Sequence, residues 1–336
     1  MRTYILLVIM ACCFGTSLAQ QKKAVSQTEK ELSAEELYKI ALELDKKGTQ
    51  KDSIKAFEYY ERSANLGYAD AQNELGGRLV FAIGVKKDDE KAVKWLSRAA
   101  EQGNCRAQYL LGACHYCGEG VWKDYEKAVF WHKKAAEQGH PGSQEELGRF
   151  YAEGIGVEQD YEQAVFWFRQ AAEQGWGSAQ SCLGQCYYFG VGVPQDYTQA
   201  YIWYRKAAEQ GEAKAQYVLG VLFDDGAGVK KDIYQAVYWW QKAAEQGWAD
   251  AQYKLARAYE KGRGLQQNLQ QAIHWYKKAV EQGNAEAKVS LAQFYFFGTG
   301  LIKDIEEAKR LLIEAAYQDN QDAKDNLKNC FDIVIE

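Results

Sequence analysis

Proline is scarce in this sequence, and long hydrophobic runs are missing from nearly all of it. Only 2 of the 336 residues are proline, whereas aromatic residues make up 14%. Disordered chains have the opposite composition, with few aromatic residues and more proline, so the composition predicts an ordered protein. No stretch reaches the roughly 20 apolar residues that a membrane-spanning helix needs. We therefore expect no transmembrane segment.

A surplus of positive charge is also missing. The chain has 41 Lys and Arg residues against 46 Asp and Glu residues, which gives a formal net charge of −5. No basic block interrupts this mildly acidic background. Nucleic acids and anionic membranes are bound through clustered positive charge, so we expect neither of them as a partner.

The first 19 residues have the features of a secretory signal. Arg2 provides the positive start, an apolar run extends from Tyr4 to Cys13, and small residues lead up to Ala19. This pattern predicts export to the periplasm or beyond, with cleavage after Ala19. In an alternative reading, the run from Ile9 to Cys12 is a lipoprotein signal, and Cys12 carries the lipid anchor.

Glycine recurs every 36 residues through most of the chain. From Gly103 onward, each of these glycines follows Glu-Gln. Self-similarity at a fixed period is the signature of a repeat protein. The series is Gly67, Gly103, Gly139, Gly175, Gly211, Gly247 and Gly283.

The unit 176–211 shows what one repeat contains. Its two halves have the apolar spacing of amphipathic helices, which we call helix A and helix B. A two-glycine turn, Gly190 to Val193, separates them. Asp196 is the predicted N-cap of helix B, and Gly211 is its predicted left-handed end. The apolar positions are Ala179, Leu183, Cys186 and Tyr187 in helix A, and Ala200, Trp203, Tyr204, Ala207 and Ala208 in helix B.

The same positions can be followed through the other units. Large aromatic residues beside alanines let neighbouring helices interlock, so each helix A is expected to pack on its own helix B and on the next helix A. The predicted N-caps of helix B are Asp52, Asp88, Asp124, Asp160, Asp196, Asp232, Asn268 and Asp304. The leading large side chains of helix B are Tyr59, Trp95, Trp131, Trp167, Trp203, Trp239, Trp275 and Leu311.

This periodicity predicts an all-α solenoid of eight helix-turn-helix repeats. The first repeat is degenerate, because Lys46 to Thr49 replace the two-glycine turn. A polar lead-in without periodicity, residues 20–31, is expected to be flexible, and residues 320–336 are expected to form a capping helix. The predicted repeats are 32–67, 68–103, 104–139, 140–175, 176–211, 212–247, 248–283 and 284–319.

The repeat pattern resembles the Sel-one-like repeat family, a relative of the tetratricopeptide repeat with a longer inter-helix turn. The resemblance implies a right-handed α/α superhelix that acts as an adaptor holding proteins together. It also implies export in many bacterial members. Some cysteine-rich secreted relatives bind or hydrolyse penicillins, which gives the alternative of a weak penicillin-binding or β-lactam-hydrolysing protein. The match runs through Ala179, Leu183, Gly184, Tyr187, Gly190, Gly192, Val193, Asp196, Ala200, Trp203, Tyr204, Ala207, Ala208 and Gly211.

One side of helix A changes from repeat to repeat while the core positions do not. In related solenoids helix A lines the concave surface, and aromatic residues among charges are typical of protein-binding surfaces. Ordinary packing between repeats is the alternative explanation. We predict a monomer that binds a protein or peptide in this groove. The predicted groove residues are Tyr109, Tyr116, Arg149, Tyr188, Phe189, Tyr217, Asp224, Asp225, Tyr253, Glu260, Phe296 and Phe297.

Six cysteines follow the predicted signal, and they do not recur in pairs from unit to unit. Cys182 and Cys186 are one helical turn apart, an awkward geometry for a disulfide. We therefore expect mostly free or irregularly paired thiols. The six are Cys105, Cys114, Cys117, Cys182, Cys186 and Cys330.

Metal, nucleotide and catalytic motifs are weak. Cys114 and Cys117 have the spacing of half a zinc site, which Cys105 or His132 could complete. His115, however, occupies a position that is tyrosine in other repeats, which indicates a core residue. The Gly-x-Gly turns follow helices, whereas nucleotide-binding loops follow strands. With four histidines and no recurring triad, we expect no metal, no cofactor and no catalytic residues, and therefore no enzyme.

Overall fold

A computed structural model describes residues 32–335 of the protein. The predicted signal, residues 1–19, and the predicted lead-in, residues 20–31, lie outside the described residues. Within the described part, every helix is too short or too polar to cross a membrane. That part contains seventeen helices and no strand, which confirms the all-α prediction.

The helices in chain order are α1 Ala34–Asp45, α2 Gln50–Asn65, α3 Ala69–Phe81, α4 Asp89–Glu101, α5 Cys105–Cys117, α6 Tyr125–Glu137, α7 Pro141–Glu153, α8 Tyr161–Glu173, α9 Gly177–Phe189, α10 Tyr197–Glu209, α11 Ala213–Asp225, α12 Ile233–Glu245, α13 Ala249–Lys261, α14 Leu269–Glu281, α15 Ala285–Phe297, α16 Ile305–Ala316 and α17 Gln321–Phe331.

These helices belong to two compact units. The first unit contains the described residues up to Ser143 together with Ile155–Val157, and the second contains Gln144–Gly154 and the described residues from Glu158 onward. Within each unit, odd-numbered helices correspond to helix A and even-numbered helices to helix B. Each helix B packs against its own helix A and against the next helix A, so the repeats share a continuous core of alanine, leucine and aromatic side chains.

The two-glycine turn has the backbone conformation that its sequence predicts. Gly190 and Gly192 have φ angles of 71° and 69°, in the left-handed region that side chains rarely enter. A Cβ atom at position 192 would lie only 2.2 Å from the carbonyl oxygen of Tyr161. Glycine is therefore required here both by the turn and by the close approach of the preceding helix B.

The predicted caps are correct at the two-glycine turns and wrong at the first repeat. Asp196, for example, accepts hydrogen bonds from the backbone N–H groups of Thr198 and Gln199. In the first repeat the N-cap is Thr49, whose hydroxyl accepts the N–H of Asp52 at 3.1 Å. The first turn is shorter, so α2 begins before the position where Asp52 would cap it.

Each helix B buries the residue that follows its leading aromatic side chain. Tyr204 is 1% exposed, whereas Trp203 is half-buried with the Lys206 ammonium 4.1 Å from its ring centre. The leading tryptophans therefore cover the outer edge of the core, where their faces can also attract cations. The residues that fill the core are Tyr60, Leu96, His132, Phe168, Tyr204, Trp240, Tyr276 and Leu312.

Glycines within helix A make room for these buried rings. A Cβ atom at position 148 would lie 2.5 Å from the Phe168 ring, and one at position 220 would lie 2.5 Å from the Trp240 ring. Real atoms do not approach so closely, so the helices could not keep this spacing with a larger residue. In these two repeats the glycine after the recurring leucine is thus a packing requirement, whereas Ala256 and Ala292 occupy the same position in two later repeats.

A ladder of buried glutamines explains the recurring Glu-Gln-Gly. The amide of Gln180 donates to the Ala172 carbonyl at 3.1 Å, and its side-chain oxygen accepts from Gln210 at 2.8 Å. The same pair of bonds recurs around Gln216 and Gln252. Each ladder glutamine therefore joins three successive helices through polar groups that burial would otherwise leave unsatisfied.

Candidate functional site

In the first unit, the predicted groove residues pack against neighbouring aromatic side chains. The ring of Tyr109 stacks on His140 with ring centres 4.6 Å apart. The ring centre of Tyr116 lies 5.6 Å from that of Tyr125. Both tyrosines are half-buried. At these two positions the packing interpretation left open by the sequence has direct support.

Several groove residues of the second unit are engaged in the same way. Tyr217 lies 6.4 Å from Trp248, and Phe296 lies 5.9 Å from Phe331, between ring centres. Tyr276 contacts two of the predicted residues. Its ring centre is 6.1 Å from that of Tyr253, and its hydroxyl donates to the Glu260 carboxylate.

The remaining groove residues range from half-buried to exposed. Phe189 and Phe297 are 61% and 71% exposed, and Asp225 is exposed as well. Asp224 is half-buried and accepts a hydrogen bond from Arg263, whereas Arg149 and Tyr188 are half-buried beside Phe189. The twelve residues therefore differ in exposure, and their role in binding stays a prediction.

A cleft within the second unit brings two of these residues together with residues that the sequence analysis missed. We call it the apolar cleft. It has a volume of about 340 Å³ and lies between α7, α8 and α9. Phe168 and Ala164 form part of its floor, and Phe189 and Tyr161 flank its mouth. The full lining is Glu145, Glu146, Arg149, Ala152, Glu153, Tyr161, Ala164, Phe168, Cys182, Gln185, Cys186, Phe189 and Val191.

The apolar cleft is open because of Ala152. Repeats before and after carry Tyr116 and Tyr188 at the same position of helix A. The Tyr188 ring packs with its centre 5.3 Å from that of Tyr197, where it fills the corresponding space one repeat later. A methyl group cannot reach across this gap. The available sequence signal was an alanine at a position where the two flanking repeats have tyrosine.

The rim of the apolar cleft carries more negative than positive charge. Arg149 pairs with Glu146 at 2.5 Å and approaches Glu153 at 3.6 Å. Glu145 instead accepts a hydrogen bond from the indole of Trp176. One guanidinium therefore faces three carboxylates, so the rim favours a ligand with positive charge next to its apolar part.

Two thiols line the wall of the apolar cleft. Burial raises the pKa of Cys182 to about 12 and that of Cys186 to about 11, so both are neutral at physiological pH. All six cysteines of the described residues are free, as expected. A neutral buried thiol behaves as a small apolar group, so these cysteines make the wall apolar and are poor nucleophiles.

A second cleft occupies the equivalent place two repeats later, and we call it the cationic cleft. Lys254, Arg257, Lys261 and Arg263 stand where the apolar cleft has Cys182, Gln185, Phe189 and Val191. The cationic cleft has a volume of only about 30 Å³. Its full lining is Asp224, Ile233, Trp240, Lys254, Arg257, Ala258, Lys261 and Arg263.

The structure places the possible metal ligands in separate environments. Cys114 is buried, whereas Cys117 is exposed. Burial lowers the pKa of His115. Among residues 32–335, no group of three or more His, Cys, Asp or Glu side chains is arranged to hold a metal ion.

A serine–histidine pair is present, although the sequence did not indicate it. Nδ1 of His132 lies 3.3 Å from the hydroxyl of Ser143. The two residues are 1% and 0% exposed, so no substrate can reach them in this conformation. The pair satisfies polar groups inside the core, where an unpaired group would be costly.

Comparison with known proteins identifies the repeat. No protein of curated function matches the chain. A solved structure from uropathogenic Escherichia coli, described as a protective antigen displaying an SLR fold, is 38% identical with a TM-score of 0.81. The match covers 88% of this chain but 64% of that one, so this chain spans less than two thirds of that protein's length.

A Sel1 repeat protein from Oxalobacter formigenes is 37% identical with a TM-score of 0.66, over 73% of this chain and 96% of that one. The sequence model described as Sel1 repeat matches eight consecutive segments. They are residues 37–68, 69–104, 105–140, 141–176, 177–212, 213–248, 249–284 and 285–320. The chain belongs to the Sel1 repeat family.

Proposed function

We propose that the protein is a binding scaffold, not an enzyme, and that its apolar cleft receives an apolar side chain of a protein or peptide partner. A Sel1 repeat solenoid is a fold suited to protein partners. The observation that carries the proposal is the opening at Ala152, a cleft of about 340 Å³ between otherwise well-packed helices. This volume is at the lower end of ordinary ligand pockets, about 300 Å³, and suits a large side chain better than a cofactor.

The lining of the apolar cleft fits this role. Phe168 and the neutral thiols of Cys182 and Cys186 form apolar walls, and Phe189 stands exposed at the mouth. Apolar anchors that enter a desolvated pocket dominate the energy of protein interfaces. The acidic rim around Arg149 favours a basic residue beside the anchor, so the preferred partner segment is apolar and basic.

The critical test is to close the cleft with a residue that the repeat already uses. Ala152→Tyr reproduces the residue found at this position in the flanking repeats, so the fold should tolerate it. Crosslinking in the native host, followed by mass spectrometry, should recover a partner with the natural chain and lose it with Ala152→Tyr. Ile302→Tyr adds the same side chain at a site that is 90% exposed, and it should retain the partner.

A second variant separates the cleft from the wider predicted groove. Tyr188→Ala combined with Tyr217→Ala removes two groove tyrosines that pack against neighbouring rings. Loss of the partner in this variant alone would place the binding surface along the groove. Retention of the partner by Ala152→Tyr would contradict the proposal for the apolar cleft.

We further propose that the protein is exported, as its predicted signal indicates. The E. coli relative described as a protective antigen supports this placement. Mass analysis of the mature N terminus tests it. A mature chain that begins at Gln20 indicates cleavage after Ala19, whereas a lipid on Cys12 indicates membrane anchoring. An uncleaved chain that stays in the cytoplasm would contradict export.

A further inference from the structure

The cationic cleft concentrates positive charge at positions that are apolar or uncharged in the apolar cleft. Four of its eight lining residues are Lys or Arg, and one is acidic. At the four equivalent positions two repeats earlier, the apolar cleft has no Lys or Arg residue. The backbone is the same, so the change of chemistry comes from the side chains alone.

Most of this positive charge is not neutralised by the protein. Arg263 pairs with Asp224 at 2.8 Å. Among the described residues, no carboxylate oxygen lies within 4 Å of the charged nitrogens of Lys254, Arg257 or Lys261. Arg257 donates a hydrogen bond to the hydroxyl of Tyr253, at 3.4 Å.

The walls of the cationic cleft hold these charges close to an apolar surface. The Lys254 ammonium lies 5.9 Å from the centre of the Trp240 ring, and Trp240 is 3% exposed. Partial desolvation strengthens the attraction of such cations for an anion. On their far side, Arg257 and Lys261 also border a recess that contains Glu260, Glu286 and Asp322, but none of these acids forms an ion pair with them.

The size of the cationic cleft limits what can enter it. A volume of about 30 Å³ admits one or two small polar groups, since a water molecule occupies roughly 10–15 Å³ by this measure. A carboxylate fits this space, and a guanidinium binds a carboxylate in a bidentate arrangement. A large apolar side chain does not fit.

From this geometry we infer that the cationic cleft is a second binding site, which takes the side-chain carboxylate of an acidic peptide segment. Arg257 and Lys254 hold the carboxylate, and Lys261 and Arg263 attract the neighbouring acidic residues from the rim. Asp224 competes with the ligand for Arg263. The site is independent of the apolar cleft, whose acidic rim favours the opposite charge.

The probe is a peptide in which glutamate alternates with serine, acetylated and amidated so that only side chains carry charge. Titration calorimetry with the full chain should show binding that weakens as salt is added, and none with the glutamine counterpart. Lys254→Gln with Arg257→Gln should weaken binding by about tenfold or more. The control removes the same charge from exposed positions of α6, Lys133→Gln with Lys134→Gln, and should bind as the natural chain does.

A gain of affinity provides a check that loss of folding cannot imitate. Asp224→Asn removes the competing carboxylate and should tighten binding of the glutamate peptide several-fold. Ala152→Tyr should leave this binding unchanged, which separates the site from the apolar cleft. Three outcomes would each overturn the inference. They are equal binding of the glutamate and glutamine peptides, equal loss of affinity in the cleft double variant and the α6 control double variant, and unchanged affinity in Asp224→Asn.

Discussion

The apolar cleft and the cationic cleft are the same place in two different repeats. Phe168 and Trp240 form equivalent floors, and both are almost fully buried. The volumes nevertheless differ, about 340 Å³ against about 30 Å³. The long side chains of Lys254 and Arg257 fill space that the shorter Cys182 and Gln185 leave open.

The difference shows that some positions of the repeat are needed for packing, whereas others are free to vary in chemistry. Residues that contact the next helix keep their role: the floor position always holds a buried large side chain, and the ladder position is glutamine from Gln72 to Gln252. Residues on the outer side of helix A can change without moving the backbone. Neighbouring repeats therefore present different chemistry on one scaffold, and the following predictions test this division.

The largest expected effect is the loss of a floor ring. Phe168→Ala and Trp240→Ala should each lower the free energy of unfolding by about 3–5 kcal/mol, because a large cavity replaces a buried ring. Denaturant unfolding followed by circular dichroism measures this. Tyr234→Ala, at a position that is 72% exposed, is the control and should change stability by no more than about 0.5 kcal/mol. Clearly unequal losses at the two floors would show that the clefts are not structurally equivalent.

The thiols of the apolar cleft should react slowly. With its pKa near 12, Cys182 should be alkylated roughly fiftyfold more slowly at neutral pH than a free cysteine, since little thiolate is present and its greater nucleophilicity compensates only in part. Because the pKa is raised, the rate should keep increasing with pH well into the alkaline range. Peptide mass spectrometry after timed iodoacetamide treatment measures it, with exposed Cys117 as the internal reference. Rapid labelling of Cys182 at neutral pH would contradict its burial.

The glutamine ladder should contribute equally to the free energy of unfolding at both clefts. Gln180→Leu and Gln252→Leu each remove a buried amide that serves one alanine carbonyl and one neighbouring glutamine. Each change should cost about 1–3 kcal/mol, because buried polar groups are left without partners. Denaturant midpoints measure the cost, and exposed Gln241→Leu serves as the control. A negligible cost at either site would mean that water replaces the lost bonds.

The smallest expected effect is on peptide affinity, about tenfold, when the side chains of the cationic cleft are placed in the apolar cleft. Cys182→Lys, Gln185→Arg, Phe189→Lys and Val191→Arg give the apolar cleft the cations of its counterpart. This variant should bind a second glutamate peptide per chain, with an affinity within about tenfold of the natural cationic cleft. Calorimetric stoichiometry measures it, and glutamine at the same four positions is the control. An unchanged stoichiometry would show that the outer residues do not suffice to define the site.

The residue pattern predicted the repeat and its caps well because both are encoded locally. An apolar stripe, an aspartate or asparagine before helix B and a glycine after it are visible within one unit, and the glycine returns every 36 residues. The prediction failed at Asp52, where a shorter turn moved the N-cap of α2 to Thr49. The groove residues were predicted as a set, but their exposure depends on neighbours such as Trp248 and Phe331, which the column of positions does not show.

By itself, the sequence determined an all-α chain of Sel1-type repeats, because short-range periodicity fixes the helices and their caps. Only the tertiary structure decided where the apolar cleft opens. The cleft beside Ala152 is also lined by Tyr161 of α8 and Phe189 of α9, and neither side chain fills it. Phe189 lies a full repeat away from Ala152 in the chain, so the small residue at position 152 did not by itself predict the cleft.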